Sequence, residues 1–234
     1  MNIEKNIKLS VCIVTYNQEK FIEQTIRSIL EQSVSFSFEI VVGEDCSTDS
    51  TGQILKKLSQ LHPSVIVPIF HEKNVGAVEN LKSVYRAAKG KYIYHLDGDD
   101  LAFPNKLQRQ FDVMESNLDC LICTHNMRYI DIEGNKVREW VHQEGKFDLD
   151  YLSLNLPFFA HSSPLFTTHF KLDYLDDLHL QALDIEIHIA QVRQGAIYHL
   201  DEELGAYRVD VGISTINKKI NPILPLGVMR VYDQ

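Results

Sequence analysis

Three carboxylates, Asp97, Asp99 and Asp100, follow directly on the apolar and aromatic run Tyr92-Ile93-Tyr94-His95-Leu96. Such a run reads as a buried strand, so the acids stand where a parallel strand ends and a ligand crevice opens. Like charges this close repel one another, and water or a cation must screen them. Hard oxygen ligands suit Mg²⁺ or Mn²⁺, ions that keep several waters and bind a substrate's phosphates rather than filling a closed protein cage. Gly98 between the acids leaves room for a substrate to approach the backbone. An arbitrary Asp-Gly-Asp-Asp would be a solvated turn. Its place after a buried strand favours the ligand reading.

The elements that must position this cluster are legible upstream. Leu9-Ser10-Val11-Cys12-Ile13-Val14 is a nearly continuous apolar run, the pattern of a central strand covered on both faces. Asn17 then offers a cap for a helix with Phe21, Ile22, Thr25, Ile26, Ile29 and Leu30 at helical spacing. A second strand over 38–43 leads into Glu44-Asp45-Cys46-Ser47-Thr48-Asp49, a polar turn rich in capping residues, and a helix stopping near His62-Pro63. A third strand over 65–70 precedes a helix carrying Val78, Leu81, Val84, Tyr85 and Ala88, with Gly90 expected to close it. A fourth helix is expected from about Pro104 to Met114. Strand and helix thus alternate four times, which predicts an α/β fold with a mainly parallel sheet flanked by helices.

Beyond residue 118 the pattern loosens. Two strands, 119–130 and 136–141, are expected to join around Glu133-Gly134-Asn135. A helix over 184–192, ended by Gly195, precedes short strands over 196–200 and 204–209. Residues 213–234 hold Pro222, Pro225 and Gly227 and are expected to form a tail or packing arm.

The chain has 234 residues, enough for one sizeable core, and 44% hydrophobic with 24% charged residues is ordinary for a soluble globular protein. A net charge of −9 argues against nucleic-acid binding, which needs clustered Lys and Arg. The N-terminus shows no signal-peptide pattern and no apolar run could span a bilayer, so a cytoplasmic location is expected. Cys12, Cys46, Cys120 and Cys123 are too few and scattered for a disulfide framework. Cys120-Leu121-Ile122-Cys123 with His125 lacks a second ligand pair, and a strand explains it better than zinc.

Val11-Cys12-Ile13-Val14-Thr15-Tyr16-Asn17, then Glu39 to Asp49, then Leu96-Asp97-Gly98-Asp99-Asp100 together resemble the successive signatures of the family 2 glycosyltransferases with a GT-A fold. The resemblance runs in order from about residue 8 to 115 and more weakly to about 214. It implies one glycosyltransferase domain with a nucleotide-sugar-binding half (1–115), an acceptor-binding half (116–212) and a tail (213–234). It also implies inverting transfer from a nucleotide-diphosphate sugar, a UDP-sugar in the first place, to a glycan or lipid-linked acceptor, with Mn²⁺ or Mg²⁺. Thr15, Tyr16 and Asn17 match the segment lining the nucleobase pocket, and Asp45 matches the carboxylate that recognises the base. Asp97 and Asp99 match the two acids of the DxD motif, facing ribose and metal respectively, while Asp100 either shares the metal through water or orients the loop. Asn80 matches a position near the nucleotide. Asp184 in Ala182-Leu183-Asp184-Ile185-Glu186 matches the catalytic base, with Glu186 as its rival.

This sequence departs from the family pattern at three places: Val14 stands where Pro is frequent, Cys46 where Gly is frequent, and Asp210 where a His ligates the metal. A carboxylate serves Mg²⁺ or Mn²⁺ as well as imidazole does, so Asp210 is a candidate ligand. His161-Ser162-Ser163 lacks the acid of a hydrolytic triad and is expected to floor the acceptor pocket. Two other readings stand beside this one. A sugar nucleotidyltransferase would show a Gly-rich basic phosphate loop, which Val14-Thr15-Tyr16-Asn17-Gln18 does not. A catalytically inactive module would keep the nucleotide-sugar pocket without turnover. With no membrane span, contact with a lipid-linked acceptor would be peripheral, at the inner face of the membrane.

Overall fold

A computed structural model describes residues 6–155, 158–168, 184–193 and 195–211, the side chains of 184 and 185 excepted. Residues 1–5 and the expected tail 213–234 lie outside the described residues. Four strands form the parallel half of the sheet: β1 (Leu9–Thr15), β2 (Phe38–Glu44), β3 (Ile66–Phe70) and β4 (Tyr92–Asp97). Their spatial order is β3-β2-β1-β4. The order reverses between β1 and β4, and there the loops at the strands' carboxyl ends diverge and leave a crevice. The sheet continues through β9 (Leu165–Thr167), antiparallel to both β4 and β6 (Cys120–Ile130). Next comes β10 (Ala196–Arg208), parallel to β6, and then the short β5 (Leu101–Ala102). Two further strands, β7 (Lys136–Trp140) and β8 (Gly145–Phe147), pair antiparallel with β6 and β10. The sheet is mixed and mainly parallel, as the alternation predicts.

The period of two in each strand divides the core into two layers. On one face Leu9, Val11 and Ile13 of β1 with Ile40 and Val42 of β2 meet α1 (Ile22–Leu30), α2 (Thr51–Leu61) and α4 (Lys106–Ser116). On the other, Cys12, Val41, Ile93 and Ile122 meet α3 (Ala77–Ala87), α5 (Leu149–Leu154) and α6 (Asp184–Val192). Helices on both faces explain why β1 reads as an unbroken apolar run.

Several local expectations are corrected. Asn17 does not cap α1, which begins five residues later at Ile22; its backbone is left-handed (φ 53°) and its Oδ1 accepts from Thr48 N at 2.8 Å. Gly90 is not a helix terminator, because α3 ends at Ala87 and Ala88 closes it. Its lack of a side chain serves packing: a Cβ there would lie 2.5 Å from Ser10 N and 2.7 Å from Tyr92 O. Pro104 precedes α4 rather than lying in its first turn, and Asn105 at φ 69° leads into the helix. The two short strands expected over 196–209 are one strand of 13 residues. Register shifts around Glu203 absorb the polar Asp201-Glu202 stretch that looks like a break in the sequence. Among the described residues no helix is long and apolar enough to cross a membrane.

Candidate functional site

The loops leaving β1, β2 and β4 are tied to one another at the switch point. Thr15 O accepts from Asp45 N at 3.1 Å and Val14 O from Gly98 N at 3.0 Å. Thr15 Oγ1 donates to Gln18 Oε1 at 2.7 Å, and Asn17 N donates to Ser47 Oγ at 2.9 Å. Tyr16 is half-buried between them. The space beside Gly98 belongs to the protein rather than to a substrate. A Cβ there would lie 2.3 Å from Gln18 Oε1 and 2.9 Å from Thr15 Cβ. Cys46 has φ 57°, the left-handed region, which gives the physical reason why glycine suits this position.

Asp45 is buried, and both of its oxygens accept backbone N–H groups: Oδ1 from Val75 at 2.6 Å and Oδ2 from Gly76 at 3.0 Å. It shapes the entry to α3, which is a different task from capping the helix after its own loop. Asn80 is buried against β2, donating from Nδ2 to Gly43 O at 2.9 Å, with Oδ1 3.1 Å from His71 Nε2. Its amide bonds therefore hold α3 on β2. Neither side chain was expected to carry these backbone contacts, because nothing local in the sequence marks them.

The acidic turn has three different environments. Asp97 is one-third exposed, with Oδ1 3.3 Å from His95 Nε2 and Oδ2 accepting from Ser162 Oγ at 3.3 Å. Burial pulls its pKa up, but the hydrogen bond and charge of His95, with help from His161 and Ser162, hold it down at about 2. Asp99 is pushed up to about 7 by burial and then by the charge of Asp97, with Gln18 and Arg208 opposing. Asp100 is fully buried and pushed well above the ordinary carboxylate range by burial, Asp99 and Asp97. Its Oδ1 accepts from Arg208 N at 2.8 Å, while its Oδ2 is buried without a hydrogen-bond partner. Two adjacent carboxyls that resist ionisation, one with an orphaned oxygen, make a donor set that a divalent cation fits. Among the described residues no three His, Cys, Asp or Glu side chains converge as a closed metal cage. A cation here would take its remaining ligands from water and substrate. Asp210 follows β10 in the left-handed conformation (φ 63°) and is exposed.

The second half meets the turn through the segment 160–164. Ser162 and Ser163 are fully buried, so they do not floor a pocket with free hydroxyls. Ser162 touches Asp97, and Ser163 O accepts from Lys106 Nζ at 3.1 Å and Gln110 Nε2 at 3.0 Å. His161 packs against His95 with ring centroids 4.2 Å apart and the rings tilted by 43°, and lies 3.1 Å, Nδ1 to Nε2, from His188 of α6. This ring chain links the acidic turn to the helix that Asp184 opens; the side chain of Asp184 lies outside the described residues. Glu186 is half-buried on the same helix.

Sequence reasoning missed Lys106 and Arg208. Lys106 is fully buried, hydrogen-bonded to His125, with its ammonium 4.0 Å from the Tyr94 ring centroid. Burial drives its pKa well below that of an ordinary lysine. A lysine in a helix's first turn is ordinarily exposed, so the sequence carries no signal for this. Arg208 lies in the segment quoted for Asp210, and a lone basic residue ending a strand gave no hint of its contacts.

A parallel β3-β2-β1-β4 half, an antiparallel strand wedged beside β4 and a carboxylate turn at the end of β4 define the GT-A class of glycosyltransferase fold. The chain matches the crystal structure of residues 1–349 of Staphylococcus aureus TarS in complex with UDP-GlcNAc with a TM-score of 0.73 and 21% identity, covering 96% of this chain and 65% of that one. The profile of Glycosyl transferase family 2 matches residues 10–172, and the chain belongs to that family. It is 27% identical over 203 residues to an uncharacterized protein of Mycobacterium tuberculosis, covering 86% of this chain and 58% of that relative. It is 29% identical over 134 residues to TuaG of Bacillus subtilis, whose name assigns it provisionally as a teichuronic acid biosynthesis glycosyltransferase; this covers 57% of the chain and 52% of TuaG. The chain thus spans less than two thirds of the length of these relatives.

Proposed function

We propose that the chain transfers a sugar from a nucleotide-diphosphate sugar to an acceptor hydroxyl, with inversion and with Mn²⁺ or Mg²⁺. A UDP-sugar is the first choice of donor, since the TarS structures that share the fold hold UDP-GlcNAc and UDP. The acceptor class is a glycan or lipid-linked precursor of a polysaccharide, the setting that TuaG's name suggests. The work would take place at the cytoplasmic face of a membrane, by peripheral contact.

The observation that carries this reading is the acidic turn at the switch point, with Asp99 at about 7 beside ionised Asp97. Thr15, Tyr16 and Asn17 border the crevice as the nucleobase wall, with Asp45 and Asn80 holding the loops that complete it. Asp97, ionised and partly exposed, would accept from a ribose hydroxyl. Asp99 and Asp210 are the carboxylates that would hold the cation. A bound Mn²⁺ or Mg²⁺ supplies Lewis-acid stabilisation of the charge on the departing diphosphate. Asp184 takes the proton of the acceptor hydroxyl. That oxygen attacks the anomeric carbon on the face opposite the nucleoside diphosphate, whose C–O bond breaks as the new one forms.

Thermal melts against nucleoside diphosphates and their sugars, with and without Mn²⁺, test this reading. A ligand at 100 times its Kd raises stability by about 2.7 kcal/mol. One nucleotide is expected to give a Mn²⁺-dependent rise that Asp99→Asn abolishes. A folded native protein that responds to none of them would instead leave an inactive family member.

A further inference from the structure

Arg208 ends β10 and joins the acidic turn to α1, to the segment before it and to the turn after β6. Its backbone N–H donates to Asp100 Oδ1 at 2.8 Å, and its Nε donates to Asp99 O at 3.0 Å. Nη1 donates to the carbonyls of Asp131 and Ile132, at 2.9 and 3.2 Å, where β6 turns into β7. Nη2 donates to Gln24 Oε1 at 3.1 Å on α1, and the guanidinium lies 4.7 Å from the Phe21 ring centroid. The residue is only 4% exposed. All three guanidinium nitrogens are engaged, at three different places in the chain, and Nε holds the carbonyl of Asp99 in the turn itself.

This arrangement is more than a buried arginine finding partners. Planar forks give directional bonds that a point-charge ammonium cannot reproduce. The guanidinium also places a fixed positive charge behind two carboxyls that repel each other. The main-chain N–H of Arg208 ties Asp100 to β10, and its guanidinium holds the carbonyl of Asp99, so the turn is fixed on both sides of the Asp99 side chain. We propose that Arg208 is the positioning residue of the acidic turn, setting Asp99 in the geometry in which it meets a divalent cation on the donor's diphosphate. The inference rests on the transferase reading and adds to it a residue that touches neither donor nor acceptor.

The test measures UDP affinity by calorimetry with and without Mn²⁺, and Mn²⁺ binding by its EPR signal, in the native chain, Arg208→Lys and Gln24→Ala. Arg208→Lys keeps the charge but not the fork. It is expected to lower the Mn²⁺-dependent gain in UDP affinity at least tenfold while leaving the metal-free affinity within twofold, because the nucleobase wall stands on other loops. Gln24 is exposed, so its truncation leaves the fold intact. Loss of this one acceptor should reduce the gain two- to threefold. It decides the matter should Arg208→Lys not fold. An unchanged gain in both folded variants overturns the positioning role and leaves the transferase reading standing. A parallel loss of metal-free affinity also overturns it, by revealing general damage to the crevice. A native chain with no Mn²⁺-dependent gain overturns both.

Discussion

At the scale of the residue, Asp97 and Asp99 show how two identical side chains two positions apart acquire opposite acidity. His95 beside Asp97 holds its pKa at about 2, whereas burial and the charge of Asp97 lift Asp99 to about 7. The two therefore affect stability in opposite directions. Folded Asp99 keeps its proton up to about 7, whereas a free aspartate loses it near 3.8. Its contribution is full below 3.8 and is lost as pH rises through 7. Asp97 contributes above 3.8, and that contribution is lost as pH falls through about 2. Without ligand, Asp99→Asn should therefore melt higher than the native chain at pH 8, by roughly 1–3 kcal/mol of stability, and the difference should shrink towards pH 4. Melts from pH 4 to 8 check this; a constant offset would refute it. The spacing of the acids was plain in the sequence, but their unequal acidity was not. It depends on how deeply the fold buries Asp99 and on His95 and Ser162 beside Asp97, Ser162 lying 65 residues away in the chain.

At the scale of the element, the strands and helices of the first half follow from periodicity, and the errors fall at their ends. Asn17, Gly90 and Pro104 are residues whose types suggest caps and stops, yet Asn17 and Gly90 are engaged by the tertiary structure instead, and Pro104 only precedes its helix. Gly90 lies where the chain entering β4 crosses the start of β1, with backbone on two sides. Gly90→Ala should therefore destabilise the fold by about 2–3 kcal/mol, read as a lower urea midpoint, because backbone cannot move aside as a side-chain tip can. Were Gly90 acting only as a helix stop, the cost would be a few tenths of a kcal/mol. The strand β10 shows the same limit from the other side. A bulge hides inside a polar stretch, and only the pairing with β6 shows that one strand runs through it.

At the scale of the whole molecule, we propose a division of labour along the chain. On that reading the donor crevice would be built on β1, β2 and β4, and the proton acceptor would stand on α6, in the second half. The two meet through Asp97, His95, His161 and His188. Asp184→Asn is expected to lower the transfer rate at least a hundredfold. UDP affinity in the presence of Mn²⁺ should stay within about twofold, as measured by calorimetry beside an initial-rate assay. Equal losses in both would place Asp184 in the donor site and remove it as the base.

The sequence by itself determined the alternation of strands and helices, the carboxylate turn and the order of the family signatures, because periodicity and strand-end placement are local properties of the chain. It also carried Thr15, Asp45 and Asp97 to neighbouring strand ends, since a parallel sheet puts successive loops on one edge. Only the tertiary structure decided what each side chain does there. Asp45 meets the entry of α3, Asn80 brackets β2, Asp100 is tied to β10, and Arg208 gathers α1, the turn after β4 and the β6–β7 turn. These contacts join residues far apart in the chain, and hydrogen-bond partners and burial exist only once the sheet has brought those segments together.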